Sequence, residues 1–181
     1  ILHYYDPSDT NNSGQITVEP FEKLPLSFPA LVNQEANFGI SVVIDDANQT
    51  IVGAHQEDNK LGKLYFFDRS ADLSVSQVGE IVPPENLGRM SFGSSLATSG
   101  SYLAVGAPDS NSFQGKVYLY MKSDGNYSID GNLSDPIGQA NDTFGSALSL
   151  HGSSLVVSSP QKLSGLGPGK VSLFERNAST S

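Results

Sequence analysis

The sequence contains no cysteine and no tryptophan in its 181 residues. Without cysteine there can be no disulfide, zinc-thiolate centre or cysteine nucleophile, whatever the redox compartment. Charge is sparse too: Asp, Glu, Lys and Arg make up 16% of the chain, and 19 acidic against 10 basic residues leave a formal net charge of −9. A surplus of that sign repels phosphate backbones and anionic headgroups, which excludes nucleic acid as a partner. The acids are scattered, as on a solvated surface. No apolar run approaches the ~20 residues of a membrane helix, so no membrane insertion is expected. The start at Ile1, with no initiator Met or signal-like segment, points to a processed chain or a piece of a longer one. Glycine numbers 18 and serine is abundant, a composition that favours strands and tight turns over charged surface helices.

What is present repeats. "NFGISVVIDDANQTIVGAHQEDNKLGKLYFFD" begins at Asn37, "SFGSSLATSGSYLAVGAPDSNSFQGKVYLYM" at Ser91 and "TFGSALSLHGSSLVVSSPQKLSGLGPGKVSLFE" at Thr143. Phe38, Phe92 and Phe144 recur at nearly constant spacing, as do the Gly-Lys pairs at Gly62, Gly115 and Gly169. Within each copy, short β-branched and aromatic runs bounded by Asp, Asn, Gly or Gln read as strands A, B and C, with a fourth, D, in "LSVSQVGEIV" and "YSIDGNL". The short A/B connections suit hairpins, and longer polar loops part B from C. Four antiparallel strands per unit of about fifty residues define a β-propeller blade.

The expected architecture is all-β, with about three and a quarter propeller-type blades. Residues 1–36 form the second half of a truncated blade (strands C and D), 37–90 and 91–142 form complete blades, and 143–181 form an incomplete blade (A, B and C). Closed propellers typically need four to eight blades, so this piece does not close alone. The Gly after each Phe suits a positive φ or a close backbone approach, and the ring suits the space between sheets. Gly53 and Gly106 fit a narrow place, and Ser158 at the same position in copy three implies that crowding there is tolerable. Leu103, Val105, Val117, Leu119, Val156 and Leu173 are expected in the core.

With Phe-Gly followed by "VGAP" and then "GKVYLY", the chain resembles the FG-GAP repeat family, seen in the seven-bladed propeller of integrin α chains and in related secreted proteins. The resemblance covers nearly the whole chain and is sharpest at Phe92-Gly93 and Gly106-Ala107-Pro108. It implies an extracellular propeller used for adhesion or ligand binding, mostly without catalysis. Many members carry an Asp-x-Asp-x-Asp-Gly calcium loop in the A/B hairpin, because Ca²⁺ takes six to eight oxygens. Here those hairpins offer only Asp45 and Asp46 in copy one, so no cofactor is expected, and calcium is possible only without the usual loop motif.

Other chemistry is thin. "DTNNSGQITVEP", Asp9 to Pro20, imitates an EF-hand loop but ends in Pro20 where a bidentate Glu is required, and it reads instead as a C/D hairpin. His3, His55 and His151 have no metal-ligand spacing, and "FGSS" is not a nucleophile elbow. No enzyme is expected. Sequons stand at Asn11, Asn48, Asn126, Asn132, Asn141 and Asn177, where composition alone gives roughly two; they read as N-glycan sites of a secreted or cell-surface protein. Gln56, Glu57, Asp58, Asp109 and Asn111 on the B/C loops are the candidate contacts for a protein or glycan ligand. Two alternatives stand beside this binding module: a building block of an extracellular fibre or array, assembled with copies of itself through edge strands, and the accessory propeller of a secreted hydrolase.

Overall fold

The computed structural model describes residues 35–72, 74–161 and 167–177. The expected strands of residues 1–34, with His3, Asn11 and the EF-hand-like segment, lie outside the described residues. Eleven strands form three antiparallel sheets among the described residues. The first joins β1 (Phe38–Ile44), β2 (Thr50–Ala54), β3 (Lys63–Arg69) and β4 (Val75–Ile81) in sequence order. The second joins β5 (Ser95–Ser99), β6 (Tyr102–Ala107), β7 (Lys116–Ser123) and β8 (Asn126–Leu133) in the same way. In the third, β9 (Leu148–His151), β10 (Ser154–Ser159) and β11 (Lys170–Glu175) keep that order. The fold is all-β and built of propeller-type blades that do not close into a ring.

The registers superpose from blade to blade. Ile51 lies between Val43 and Phe66, Ala104 between Ala97 and Leu119, and Val156 between Ser149 and Leu173. Because side chains alternate across a strand, each sheet presents one face to the blade before it and one to the blade after. At the first junction Ile51, Leu64 and Phe66 meet Met90, Phe92, Leu103, Val105, Tyr118 and Tyr120. At the second, Ala104 and Val117 meet Phe144, Leu155 and Val157. Burying both faces explains why the strands read as continuous apolar runs.

Two of the expected core residues are not in the core. Leu103, Val105 and Val117 are buried and Leu119 is half-buried, but Val156 is 36% and Leu173 64% exposed, together with Val171 at 73%. Their counterparts in the first sheet, Ile51, Leu64 and Phe66, are at most 5% exposed. The difference is one of cover: no described residue packs a fourth blade over this face.

A Phe-Gly clasp joins the blades. The B/C segments, expected as open loops, wind into left-handed turns at Glu57–Lys60 and Ser110–Phe113, with φ of 49°, 59° and 72° at Asp58, Asn59 and Lys60 and matching values at Asn111, Ser112 and Phe113. This winding aims carbonyls at the following blade: Lys60 accepts from the amides of Met90 and Ser91, and Leu61 from that of Phe92 (3.1 Å). Phe113 and Gln114 receive Thr143 and Phe144 in the same manner. Gly93 (φ 84°) donates its amide to Gly106 in its own blade, while its carbonyl accepts the Ser41 hydroxyl of the blade before at 2.6 Å. At the next junction Ser95 donates to the Gly145 carbonyl at 2.6 Å.

Gly53 and Gly106 are glycines because of this clasp. A Cβ at either would overlap the carbonyl oxygen of Gly93 or Gly145. Gly106→Ala is expected to lower stability by about 1–3 kcal/mol through forced displacement of the third blade. Gly79→Ala, whose added methyl meets nothing within 4 Å, should stay within about 0.5 kcal/mol of the parent. Urea unfolding of the two variants checks this, and equal midpoints would count against the clasp.

Candidate functional site

Gln56, Glu57, Asp58, Asp109 and Asn111 all fall on the left-handed B/C turns at one end of the stack, and much of their polarity is already engaged. The Gln56 amide donates to Ala36 (3.0 Å). Glu57, read from sequence as a solvated loop acid, is 5% exposed, with Oε2 unpartnered among the described residues. The first residue of each turn points into the stack, and its counterpart Ser110 is equally buried. Asp109 accepts from Arg89 Nε at 2.7 Å and from Ser91 Oγ at 2.8 Å, so it braces the turn instead of facing a ligand. Asp58 and Asn111 remain exposed, Asp58 lying 4.0 Å from Lys63. His55 is half-buried beside this group, and burial pushes its imidazole below the ordinary range against the pull of Asp109.

Two of the three Gly-Lys lysines brace the blades. Lys116 reaches Glu85, which also accepts the Tyr118 hydroxyl at 2.6 Å, and Lys170 reaches Asp142 at 2.9 Å and Asp135 at 3.3 Å. Each ties its blade to the linker that leads into it. The Gln139 amide and Lys170 hold the Asp142 carboxyl below the usual carboxylate range.

At the opposite end, Asp45 sits 3% exposed in the β1/β2 turn. It accepts from the amides of Ala47 and Gln49 (both 2.9 Å), from Lys122 Nζ (2.6 Å) and from the Tyr127 hydroxyl (2.9 Å). Burial pushes its carboxyl upward, but Lys122, the Gln49 amide and Tyr127 together outweigh that and hold it low. The residue considered from sequence as a calcium ligand is thus bonded to a lysine ammonium from the next blade. The Tyr127 ring packs on Phe66 with centroids 5.7 Å apart and fills the outer part of the first junction, leaving a space of about 120 Å³ there.

In the second junction the corresponding place belongs to the fourth strand of the third blade, and no described residue occupies it. Leu103, Leu119, Leu133, Leu150, Leu155 and Phe174 wall a cleft of about 490 Å³. Arg176 stands at its rim, 3.9 Å from the centroid of the Tyr102 ring and 3.1 Å from Asp130. The repeat accounts for this cleft: the fourth strand that carries Tyr127 into the first junction has no described counterpart in the third blade, which the sequence reads as strands A, B and C alone.

Among the sequons, Asn48, Asn126, Asn132 and Asn177 are exposed. Asn141 is half-buried at φ 72°, and its Thr143 is buried with the hydroxyl bonded to the Asp142 carbonyl.

Antiparallel sheets packed face to face and clasped by a recurring Phe-Gly turn make this a blade-repeat protein of the propeller type. Residues 75–120, from β4 through the Phe92-Gly93 clasp to Tyr120, match the model of the FG-GAP repeat family. No curated protein matches the chain. None of the helical turns is long and apolar enough to cross a membrane.

Asp45 and Asp142 both have depressed pKa values, so the stability they contribute is full above the ordinary carboxylate pKa and is lost as pH falls below about 4. Asp45→Asn leaves Lys122 without its carboxylate and should cost about 3 kcal/mol near neutral pH. It should also flatten the loss of stability between pH 5 and 3, as read by urea unfolding across that range. A variant with the parent's acid profile would show that Asp45 is not held low.

Proposed function

We propose that this chain is a non-catalytic binding module of an extracellular protein, and that it takes a polypeptide partner in the cleft between its second and third sheets. The observation that carries this reading is the apolar cleft with a charged rim between the second and third sheets, beside an edge strand, at the place that the fourth strand fills in the first junction and that no described residue fills here. The matching occupant is an extended segment presenting an aromatic ring to Leu119, as Tyr127 of β8 does to Phe66. β11 pairs only with β10 among the described residues, so the segment can also add as a strand along its open edge. The FG-GAP repeat supports the same reading through its association with adhesive propellers. The B/C turns are a weaker candidate, since Glu57 is buried and Asp109 is bonded to Arg89 and Ser91.

Panning a displayed random-peptide library against the whole chain tests this. Enriched peptides should carry an aromatic residue and should lose at least tenfold in affinity for both Leu119→Arg and Leu133→Asn. Peptides that bind these folded variants unchanged, or that are displaced by substitutions at Asp58 and Asn111, would move the site elsewhere. For the extracellular assignment, chain secreted from eukaryotic cells should lose mass on treatment with an N-glycan amidase. Site mapping should find glycan at Asn48, Asn126, Asn132 or Asn177 and none at Asn141, whose Thr143 hydroxyl is committed within the fold. An unchanged mass refutes the assignment.

A further inference from the structure

The third blade lacks both halves of the clasp on its outward face. In the first two blades the third residue after Phe is a serine, Ser41 or Ser95, whose hydroxyl grips the glycine carbonyl of the next Phe-Gly pair. The third blade has Ala147 there. In the first two blades the strand position opposite is Gly53 or Gly106, bare because that same carbonyl occupies the place of a Cβ. The third blade has Ser158, paired with Val171 as Gly106 is with Val117, and therefore on the outward face. Ser158 Oγ turns back to accept the Ala147 amide at 2.9 Å, closing within its own sheet the position that elsewhere serves the neighbour. The tolerance of serine inferred from the sequence thus has a local reason: the second junction presses Gly145 onto Gly106, and no described residue presses onto Ser158. Gly169 keeps the positive φ (76°) of Gly62 and Gly115.

We infer that the third blade ends the clasped stack: Ala147 and Ser158 refuse a further Phe-Gly blade in the seat that the first two blades provide. By the same inference, a fibre does not grow by repeating this clasp on that face. Whatever covers Val156, Val171 and Leu173 does so through side chains, without the glycine carbonyl at its centre.

The absence of cysteine permits a direct test. Asn177 of the full chain is joined to a second copy of residues 124–181, which supplies a fourth strand and a new Phe-Gly blade, and Val171→Cys reports cover by its rate of maleimide labelling. With native Ala147 and Ser158, the extended chain should label at the rate of the unextended Val171→Cys chain. With Ala147→Ser and Ser158→Gly at the original third blade, labelling should slow at least tenfold. Val117→Cys, buried at the second junction, should be protected in every version and shows that the parent blades are folded. Equal protection of Cys at 171 with the native pair would overturn the inference, because a blade would then seat over serine. Equal reactivity in both versions would overturn it too, because the two positions would not govern seating.

Discussion

One carbonyl group organises this molecule. The glycine after Phe92 and after Phe144 turns its C=O into the sheet of the preceding blade, where a serine hydroxyl bonds it and a second glycine leaves room for it. The adjacent phenylalanine amide bonds the left-handed B/C turn of that blade, and the ring is fully buried at Phe92 and Phe144. Apolar contact between sheets supplies most of the driving force and is non-directional. The hydrogen-bonded glycine fixes where one sheet sits on the next, because its polar groups cannot be left unpaired at a buried junction.

Other polar features follow from that seating. The two junctions share the clasp and differ in their outer parts, where nothing in the repeat dictates the residue. In the first, Tyr127, Lys122 and Asp45 build a buried polar network that closes the gap. In the second, Arg176 occupies the position of Lys122 and meets Asp130 and Tyr102 at the rim, and no described fourth strand lies beside it. The proposed binding cleft is therefore the place of a fourth strand, in keeping with recognition by strand addition.

Much of the architecture was legible in the residues. Repeating Phe-Gly, Gly-Lys and β-branched runs gave the strand order, the antiparallel pairing and the burial of both faces. The requirement for space at Gly53 and Gly106 was also readable, although the atom that needs it was not, since that atom belongs to a turn forty residues further along. Two kinds of feature escaped. Acids on the B/C segments looked solvated because composition does not reveal a left-handed turn that points Glu57 inward. Val156 and Leu173 looked like core because a strand pattern records which face is apolar and says nothing about whether a neighbour covers it.

Native-state hydrogen exchange at the clasp amides tests the central claim most directly. Ser91, Phe92, Thr143 and Phe144, whose amides bond the preceding blade, lie outside the regular strands, where amides ordinarily exchange through local opening. If the clasp holds the sheets together, these four should exchange as slowly as the amides of β6 and β7, and only by global unfolding. Fast exchange at these four with the strands still protected would show that the sheets stack by apolar contact alone.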